Sequence, residues 1–388
     1  MTAIEIADDL AGLDAAIEAL PNNPAVFVLW PKEGDPYLSK TALLRRRLLR
    51  LFKEREKPSR LLNLRGTVRR IEYCLTGSTF ESSIVHYEQA RRLFPDRYLE
   101  VIKLRMPPYV KIVLSNEFPR SGITTRVGQT AAGLRPGGTL TSRADLAVRP
   151  TKDIYYGPFR SRASAERFES SFLDLFQMRR CQEDLVPSPE HPGCIYGEMG
   201  MCLRPCQVVV GPAEYAGEVE RVVEFLQTGG HSLLNAIGRS RDRLSEEMMF
   251  EEAARQHKRF EKVQEALKLS DELAHDVDRL SGVAITRSVA KDAVEMWFVR
   301  GGDWQNPVRF GFEVVEGKPA PLDRKLRETF AAVAPRKLTV RERQEYLALV
   351  ARWYYSSWRD GEWLGFDNWE DVPYRKLVNA VSRVARVA

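Results

Sequence analysis

Four of the five cysteines lie within one short stretch of the chain, at Cys181, Cys194, Cys202 and Cys206. Random placement of the five would put about a third of a cysteine in this stretch, so the cluster needs an explanation. The residues PSPEHPGCIYGEMGMCLRPC are rich in Pro and Gly, which favours a loop over a helix or strand. Four thiolates on one loop indicate a metal centre, either structural zinc or an iron–sulfur cluster. Spacing alone does not separate the two.

Two other interpretations of these cysteines are weaker. Disulfide bonds require an oxidising compartment. The N-terminal residues MTAIEIADDLAGLDAAIEALP include acidic residues and lack the apolar run of a signal peptide, which indicates a cytoplasmic protein with reduced thiols. Buried cysteines that are unrelated to one another would not gather in a single loop.

Basic residues are unevenly distributed along the chain. The 388 residues are 44% hydrophobic and 29% charged, the composition of a soluble globular protein of two or three domains. The chain has no apolar run long enough to span a membrane, so no membrane partner is expected. The net charge is only +6, yet one stretch is crowded with cations: Arg45, Arg46, Arg47, Arg50, Lys53, Arg55, Lys57, Arg60, Arg65, Arg69 and Arg70.

This density of positive charge favours a polyanionic partner, and nucleic acid is the leading candidate. The candidate DNA-binding residues are Arg45, Arg46, Arg50 and Lys53. The alternative is a solvated helix face, with part of its charge offset by the two glutamates that follow Lys53 and Arg55.

The cationic stretch begins in a predicted helix that follows a predicted β-hairpin. Residues 25–30 (AVFVLW) form an apolar strand, and the turn-like KEGDP leads to a return strand that starts near Tyr37. Thr41 is predicted to cap a helix that runs to about Lys53, with leucines at helical spacing. Any chemistry at Tyr37 would therefore lie between this strand and this helix.

A second strand and helix complete this unit. Residues 69–76 (RRIEYCLT) read as a strand, and Ser78 followed by Glu81 is a capping box. That box opens a helix from about Thr79 to Phe94, which Pro95 ends. A small sheet with helices results, a compact α/β unit of roughly 100 residues.

The rest of the chain alternates strands with long helical stretches. The Trp- and Tyr-rich sequence WYYSSWRDGEW near the C-terminus either fills a core or stacks on bases, and the core is favoured. In chain order the predicted elements are a strand at 109–114, a mobile loop at 127–150, a helix within 161–178, mostly helix over 211–267, paired strands at 294–302 and 308–317, and a helix at 341–358.

Together these pieces resemble the N-terminal half of the UvrC family, the excinuclease ABC component that incises DNA in bacterial nucleotide excision repair. Residues 25–53 resemble a GIY-YIG nuclease domain. YVKIVLSNEFPR and YYGPF are similar to the family's linking segment, and the cysteine spacing with GMCLRPC to its cysteine-rich region. LSEEMMFEEAARQHKRFEKVQEAL resembles its UVR helical hairpin. The order of the four parts is specific, and residues 281–302 resemble the segment before the family's C-terminal nuclease.

The resemblance implies an α+β protein built from several units. Their expected bounds are 1–105 for a GIY-YIG nuclease-like domain, 106–207 for the linking segment and cysteine-rich region, 208–276 for the helical region with the UVR hairpin, and 277–388 for a C-terminal α+β region of unknown role. The family's RNase H-like nuclease is expected to be absent, because too little chain remains to form it.

GIY-YIG enzymes hydrolyse phosphodiesters with tyrosines, an arginine on the phosphate and a glutamate that holds one divalent metal ion, Mg²⁺ or Mn²⁺. The resemblance maps the second tyrosine to Tyr37, a lysine to Lys40 and the arginine to Arg47. Lys40 and Arg47 are expected to share one helix face and to reach the same phosphate. The alternative for Tyr37 is a purely structural role, in which the ring packs at the end of a strand and the hydroxyl lies in water.

Three positions depart from the family pattern. Phe27 replaces the first tyrosine and has no hydroxyl. Ser39 replaces a glycine, so a backbone that needs a positive φ would be strained. His86 replaces the metal glutamate, and imidazole is a poor ligand for Mg²⁺. His86 could ligate a softer metal, shuttle a proton without metal, or be an ordinary polar residue in a site that has lost its chemistry, which is favoured.

The resemblance also implies cofactors and partners. The cysteines would hold a 4Fe-4S cluster, with zinc as the alternative, and the hairpin would contact the damage-loading protein UvrB. Phe250 is the candidate contact residue, or else it fills the seam between the hairpin arms. The expected function is a DNA-binding repair protein making a single incision. The alternatives are a silent adaptor that binds DNA or UvrB, and a metal-stabilised protein with no role in repair.

Overall fold

The computed structural model describes residues 1–6, 12–53, 64–128, 153–312, 314–315, 318–319 and 321–386. Within these residues, helices and antiparallel sheets confirm the predicted α+β class. None of the described helices combines the length and the apolar character that crossing a membrane requires. The predicted loop at 127–150 falls almost wholly outside the described residues, as do Arg55, Lys57 and Arg60 of the cationic stretch.

The N-terminal domain is an antiparallel sheet with helices on both faces and strand order β1-β4-β2-β3. The central strand carries the AVFVLW run, and its first five residues are fully buried because helices cover both faces of the sheet. Its elements are β1 (Thr2–Glu5), α1 (Leu13–Glu18), β2 (Ala25–Pro31), β3 (Tyr37–Thr41), α2 (Leu44–Phe52), β4 (Val68–Leu75), α3 (Thr79–Leu93) and α4 (Tyr98–Ile102).

The predicted strands and helices of this domain are confirmed, but the predicted Thr41 cap is wrong and the capping box at Ser78 is only partly formed. Thr41 does not cap α2, because β3 runs to Thr41 itself and its Oγ1 accepts from the Leu43 N–H at 3.2 Å, before the helix starts. Ser78 does cap α3, accepting from the Glu81 N–H at 3.0 Å. The Glu81 carboxylate accepts from the Gly77 N–H at 2.6 Å, so the reciprocal half of the capping box is shifted by one residue.

The middle of the chain holds a second antiparallel sheet, with strand order β6-β5-β7-β8, and the predicted run of helices. Phe168 and Phe172 of its first helix are fully buried in a core that they share with this sheet and with the helix at 212–227. The elements are β5 (Tyr109–Val113), β6 (Arg120–Thr124), β7 (Ile154–Gly157), α5 (Arg162–Leu173), α6 (Ile195–Glu198), α7 (Pro212–Gln227), α8 (His231–Glu246), α9 (Phe250–Lys268) and β8 (His275–Asp276).

The C-terminal region is a third antiparallel sheet, of strand order β11-β10-β9-β15 with β12 also pairing with β10, covered by helices. The predicted pairing of residues 294–302 with 308–317 is confirmed where β10 meets β12. The elements are β9 (Gly282–Arg287), β10 (Ala293–Arg300), β11 (Asp303–Trp304), β12 (Val308–Gly311), β13 (Val314–Val315), β14 (Lys318–Pro319), α10 (Leu322–Ala332), α11 (Val340–Tyr354), β15 (Glu362–Gly365) and α12 (Tyr374–Arg386).

Helix α11 joins the C-terminal region to the N-terminal domain through an aromatic core. Trp353 is 1% exposed and its ring lies 4.7 Å from the ring of Phe80 on α3, centroid to centroid. The Tyr87 hydroxyl donates to the Glu345 carboxylate at 2.6 Å. The predicted core role of the C-terminal aromatic residues therefore holds for Trp353, whereas Trp358 is 44% exposed.

Candidate functional site

Tyr37 and Arg47 form a hydrogen-bonded pair between strand β3 and helix α2. The Arg47 Nη2 donates to the Tyr37 hydroxyl at 3.2 Å, and the Tyr37 ring lies 6.2 Å from that of Phe27. The leucines of α2 pack on the sheet, and Arg47 lies at the edge of this buried face of the helix. Arg47 and Tyr37 are both half-buried. The phenol and the guanidinium are thus brought together as the resemblance predicts.

Lys40 lies on the other face of the sheet. It follows Tyr37 by three positions on β3, and side chains alternate along a strand, so the two point to opposite faces. The Lys40 ammonium donates to Ser83 Oγ of α3 at 3.0 Å. The prediction that Lys40 and Arg47 share one helix face is therefore wrong, because Lys40 belongs to a strand and Arg47 to the following helix.

His86 lies on α3 one turn beyond Ser83, on the same side as Lys40. Burial, together with the positive charges of Lys40 and Arg352, lowers the pKa of His86 to about 4, so the imidazole is neutral at pH 7. Partial burial of the ammonium group and the charge of Arg352 lower the pKa of Lys40, whereas the negative charge of Asp360 raises it. Cations therefore dominate the surroundings of the position that the family gives to a metal-binding glutamate.

The Asp360 carboxylate near Lys40 is already engaged. It accepts from the Thr79 hydroxyl at 2.6 Å and from Trp353 Nε1 at 3.1 Å, and also from the Thr79 N–H at the start of α3. These three donors satisfy both carboxylate oxygens, and the negative charge lies at the positive end of the helix dipole. Asp360 therefore holds the C-terminal region on α3.

The two other departures from the family pattern are structurally benign. Phe27 is fully buried in the sheet. Ser39 pairs with it in the ladder between β2 and β3 and does not have a positive φ. The prediction of strain at Ser39 is therefore wrong, because the position lies in an extended strand that any residue adopts.

The remaining cations of α2 face solvent. Arg45 donates to the Glu18 carbonyl at 3.1 Å, and its side chain and that of Arg46 are exposed, as are those of Arg50 and Lys53. Two other described arginines of the cationic stretch are paired, Arg65 with Asp14 at 2.9 Å and Arg70 with Glu72 at 2.7 Å. Four exposed cations therefore lie on α2 and at the Lys53 that follows it.

The four clustered cysteines are close enough to influence one another. Burial, together with the charges of Cys181, Cys194 and Cys206, raises the pKa of the Cys202 thiol to about 11, against the opposing effect of the Arg204 backbone N–H. Cys202 and Cys206 are buried, Cys181 is half-buried and Cys194 is exposed. Among the described residues, no group of three or more His, Cys, Asp or Glu side chains is arranged so that it could hold a metal ion. The metal centre stays a prediction.

Two donors point at the sulfur atoms of this loop. The Arg179 Nη1 lies 3.4 Å from Cys181 Sγ, and the Arg204 N–H donates to Cys202 Sγ at 3.4 Å. Arg179 is 1% exposed and also donates to the carbonyl groups of Phe118 and Glu183, so its position is fixed. The donor set, four thiols with a buried cation beside them, fits a thiolate-bound group whose negative charge needs stabilisation.

The turn between α8 and α9 exposes large apolar side chains. Phe250 is 66% exposed, and the neighbouring Met248 and Met249 are 78% and 42% exposed. The seam of the hairpin is filled instead by residues farther along α9, including Ala253 and Val263. The alternative that Phe250 fills the seam is therefore wrong, while its role in binding a partner stays a prediction.

Two residues beside this site, Arg352 and Asp360, were not predicted from the sequence. Both lie more than 250 positions after His86 in the chain, and their own segment reads only as an aromatic helix followed by a turn. The basic and acidic residues of that segment carry no pattern that connects them with residues 37–86. Their placement depends on the packing of α11 against α3.

The comparisons with known proteins agree with the ordered motifs. A family model described as the UvrC/Cho excinuclease middle domain matches residues 135–225, which include the four clustered cysteines. The UvrABC system protein C of Lachnospira eligens is 24% identical over 312 residues, 79% of this chain and 47% of that protein. The protein of the same name from Desulfatibacillum aliphaticivorans is 26% identical over 313 residues, 79% of this chain and 48% of the relative.

One relative extends over nearly the whole chain. The UvrABC system protein C of Acetivibrio thermocellus is 20% identical over 386 residues, 96% of this chain and 57% of that protein. The chain thus spans about half the length of the curated relatives it matches. No solved structure matches it. The ordered motifs, the middle-domain match and these relatives together support the resemblance of this chain to the UvrC family.

Proposed function

We propose that this chain is a DNA-binding protein of nucleotide excision repair, and that it holds DNA without cutting it. The observation that carries the proposal is the exposed cationic face of α2 next to the Tyr37–Arg47 pair. Guanidinium groups on a rigid helix are suited to phosphate, because one guanidinium can donate two parallel hydrogen bonds to two phosphate oxygens. In this role Arg45, Arg46, Arg50 and Lys53 bind the DNA backbone.

The repair role rests on the relatives, each of which is named UvrABC system protein C. The partners we propose are DNA and UvrB, and the exposed turn at Met248, Met249 and Phe250 would contact the latter. An apolar turn that extends from a helical hairpin offers hydrophobic anchors for a groove on a partner protein.

The absence of cutting follows from the charges around His86. A divalent metal ion prefers carboxylate oxygen. His86 instead offers a neutral imidazole, and the positive charges of Lys40 and Arg352 act on it. A metal ion placed there would be repelled by both charges, and Asp360 is held in place by its hydrogen bonds to Thr79 and Trp353. We therefore assign this chain the role of an adaptor that presents DNA to other components.

A second candidate function is a single phosphodiester incision. It is favoured by the Tyr37–Arg47 hydrogen bond, which joins the hydroxyl and the guanidinium that this chemistry requires. An arginine at this position can contact the scissile phosphate. In this function Arg47 would bind the phosphate and Tyr37 would orient water, with Mg²⁺ or Mn²⁺ supplied from solution.

We also propose that Cys181, Cys194, Cys202 and Cys206 hold a 4Fe-4S cluster, with zinc as the alternative. The proposal is supported by the effect of three of these cysteines on the pKa of the fourth, Cys202. It is also supported by hydrogen bonds from Arg179 to Cys181 Sγ and from the Arg204 N–H to Cys202 Sγ. When bound, the group would crosslink the loop and so fix the chain that enters α7. No reaction step is assigned to it.

A DNA-binding titration tests the main proposal. Fluorescence anisotropy with a labelled duplex of about 20 base pairs is measured at about 50 and 200 mM salt. Four cations on α2 predict a loss of affinity of about a hundredfold between the two conditions, because bound counterions are released with each phosphate contact. The variant Arg46→Gln should reduce the salt slope by about one.

The matched control is Arg324→Gln, which removes one exposed arginine that pairs with Glu328 on α10. It should leave both affinity and slope unchanged. Binding that is undetectable at the lower salt concentration, or an affinity that is the same at both, would contradict the proposal.

A further inference from the structure

Arg179 is a buried cation two positions before the first of the clustered cysteines. It is 1% exposed, and a guanidinium stays charged inside a protein. Buried charges in folded proteins are normally compensated by an opposite charge nearby. No carboxylate among the described residues pairs with this guanidinium, whose acceptors are backbone carbonyl groups and one sulfur atom. The positive charge of Arg179 is therefore left for an anionic group of another kind.

Hydrogen bonds to three segments of the chain hold this guanidinium in place. The Arg179 Nε donates to the Phe118 carbonyl at 2.9 Å, and Nη1 donates to the Glu183 carbonyl at 2.7 Å. The backbone N–H of Arg179 donates to the Tyr215 hydroxyl of α7 at 3.0 Å. From this fixed position Nη1 also lies 3.4 Å from Cys181 Sγ. Arg179 thus joins a candidate metal ligand to the connection between β5 and β6 and to α7.

One donor nitrogen of Arg179 has no acceptor. Nη2 is buried and has no hydrogen-bond partner among the described residues. It is bonded to the same carbon atom as Nη1, the nitrogen that reaches Cys181 Sγ. Buried donors in folded proteins are nearly always satisfied, so an exception needs a specific explanation. A metal ion held by four thiolates supplies one, because the thiolate charges exceed that of one Zn²⁺ by two and sulfur atoms accept hydrogen bonds.

We propose that Arg179 is the counter-ion and positioning residue of the candidate metal centre: it orients Cys181 Sγ and donates from Nη2 to the bound metal–thiolate group. The inference rests on the proposed binding of metal by the four clustered cysteines and deepens it. A donor that contacts a metal ligand rather than the metal fixes the orientation of that ligand, and its loss typically lowers metal affinity by about 10–100-fold.

The test measures the affinity of the full chain for Zn²⁺, used as the probe because four-thiolate sites accept it. Metal is removed anaerobically, and the apoprotein is titrated with Zn²⁺ in competition with a chromophoric chelator. We expect Arg179→Gln to weaken Zn²⁺ binding by about 10–100-fold. The matched control is Arg180→Gln, because Arg180 is next in sequence but pairs with the Asp174 carboxylate at 2.6 Å. The control should bind Zn²⁺ as wild type does.

Denaturant unfolding of the apoprotein and of the Zn²⁺-loaded protein separates an effect on metal binding from an effect on the fold. We expect Arg179→Gln to lower the unfolding midpoint more in the loaded form, because weaker binding reduces the stability that Zn²⁺ adds. Arg179→Lys is the second variant. It keeps the charge without the fixed fork of donors, so its loss of Zn²⁺ affinity should be smaller.

The outcomes separate this proposal from the metal centre on which it rests. If wild type binds neither Zn²⁺ nor, after reconstitution, an iron–sulfur cluster, the four-cysteine centre itself is overturned. If wild type binds Zn²⁺ and Arg179→Gln binds it equally well, the role of Arg179 is overturned while the centre stands. Equal losses of midpoint in the apo and loaded forms would assign Arg179 to the fold alone, which also overturns the proposal.

Discussion

Cys202→Ser is expected to yield protein without bound iron or zinc and to lower the free energy of unfolding by several kcal/mol. A serine hydroxyl stays protonated and cannot replace a thiolate ligand. Cys202 is buried and is influenced by the other three cysteines of the loop, so its loss removes a central ligand. The measurements are metal content and visible absorbance of anaerobically purified protein, followed by denaturant unfolding.

The matched control for this change is Cys74→Ser. Cys74 lies on β4 of the N-terminal domain, half-buried and outside the clustered loop, so its replacement should leave the metal content unchanged. Brown protein with broad absorbance would identify iron–sulfur, and colourless protein with stoichiometric zinc would identify the alternative. Wild-type protein that contains neither metal, with all four thiols open to alkylation in the native state, would refute the metal centre.

Trp353→Ala should lower the free energy of unfolding by about 3–5 kcal/mol. The side chain is 1% exposed, its ring lies 4.7 Å from that of Phe80, and its Nε1 donates to Asp360 at 3.1 Å. Removal leaves a cavity between α11 and α3 and takes away one of the three donors to the Asp360 carboxylate, so the contact between the C-terminal region and the N-terminal domain weakens. Urea unfolding monitored by circular dichroism measures the change.

Trp358→Ala is the control for this substitution. Trp358 belongs to the same aromatic segment but is 44% exposed, so its replacement should change the free energy of unfolding by less than about 0.5 kcal/mol. A similar loss in both variants would show that Trp353 does not pack against α3. No loss in Trp353→Ala would contradict the packing of α11 on α3 through Trp353 and Phe80.

Local patterns in the sequence predicted the elements that carry the site. The AVFVLW run predicted strand β2, and the leucine spacing predicted helix α2. Ser78 was correctly identified as the cap of α3. Each of these features is decided by residues within a few positions of one another, where periodicity and capping chemistry dominate.

Features that depend on register or on distant packing were not predictable in this way. Lys40 was placed on a helix face because the strand was expected to end before Thr41. The strand instead continues through Thr41, and its alternation sends the Lys40 side chain to the other face of the sheet. The positions of Arg352 and Asp360 depend on the seating of α11 on α3, a contact between segments more than 250 residues apart. Sequence periodicity carries no information about such a contact.

The adaptor role is tested most directly by a strand-break assay on a damaged, end-labelled duplex, with Mg²⁺ and Mn²⁺ in parallel. We expect wild-type protein to shift the duplex in a native gel but to leave both strands intact on a denaturing gel. Incision by wild type that depends on metal and is abolished in Arg47→Ala would contradict the adaptor role and establish the nuclease.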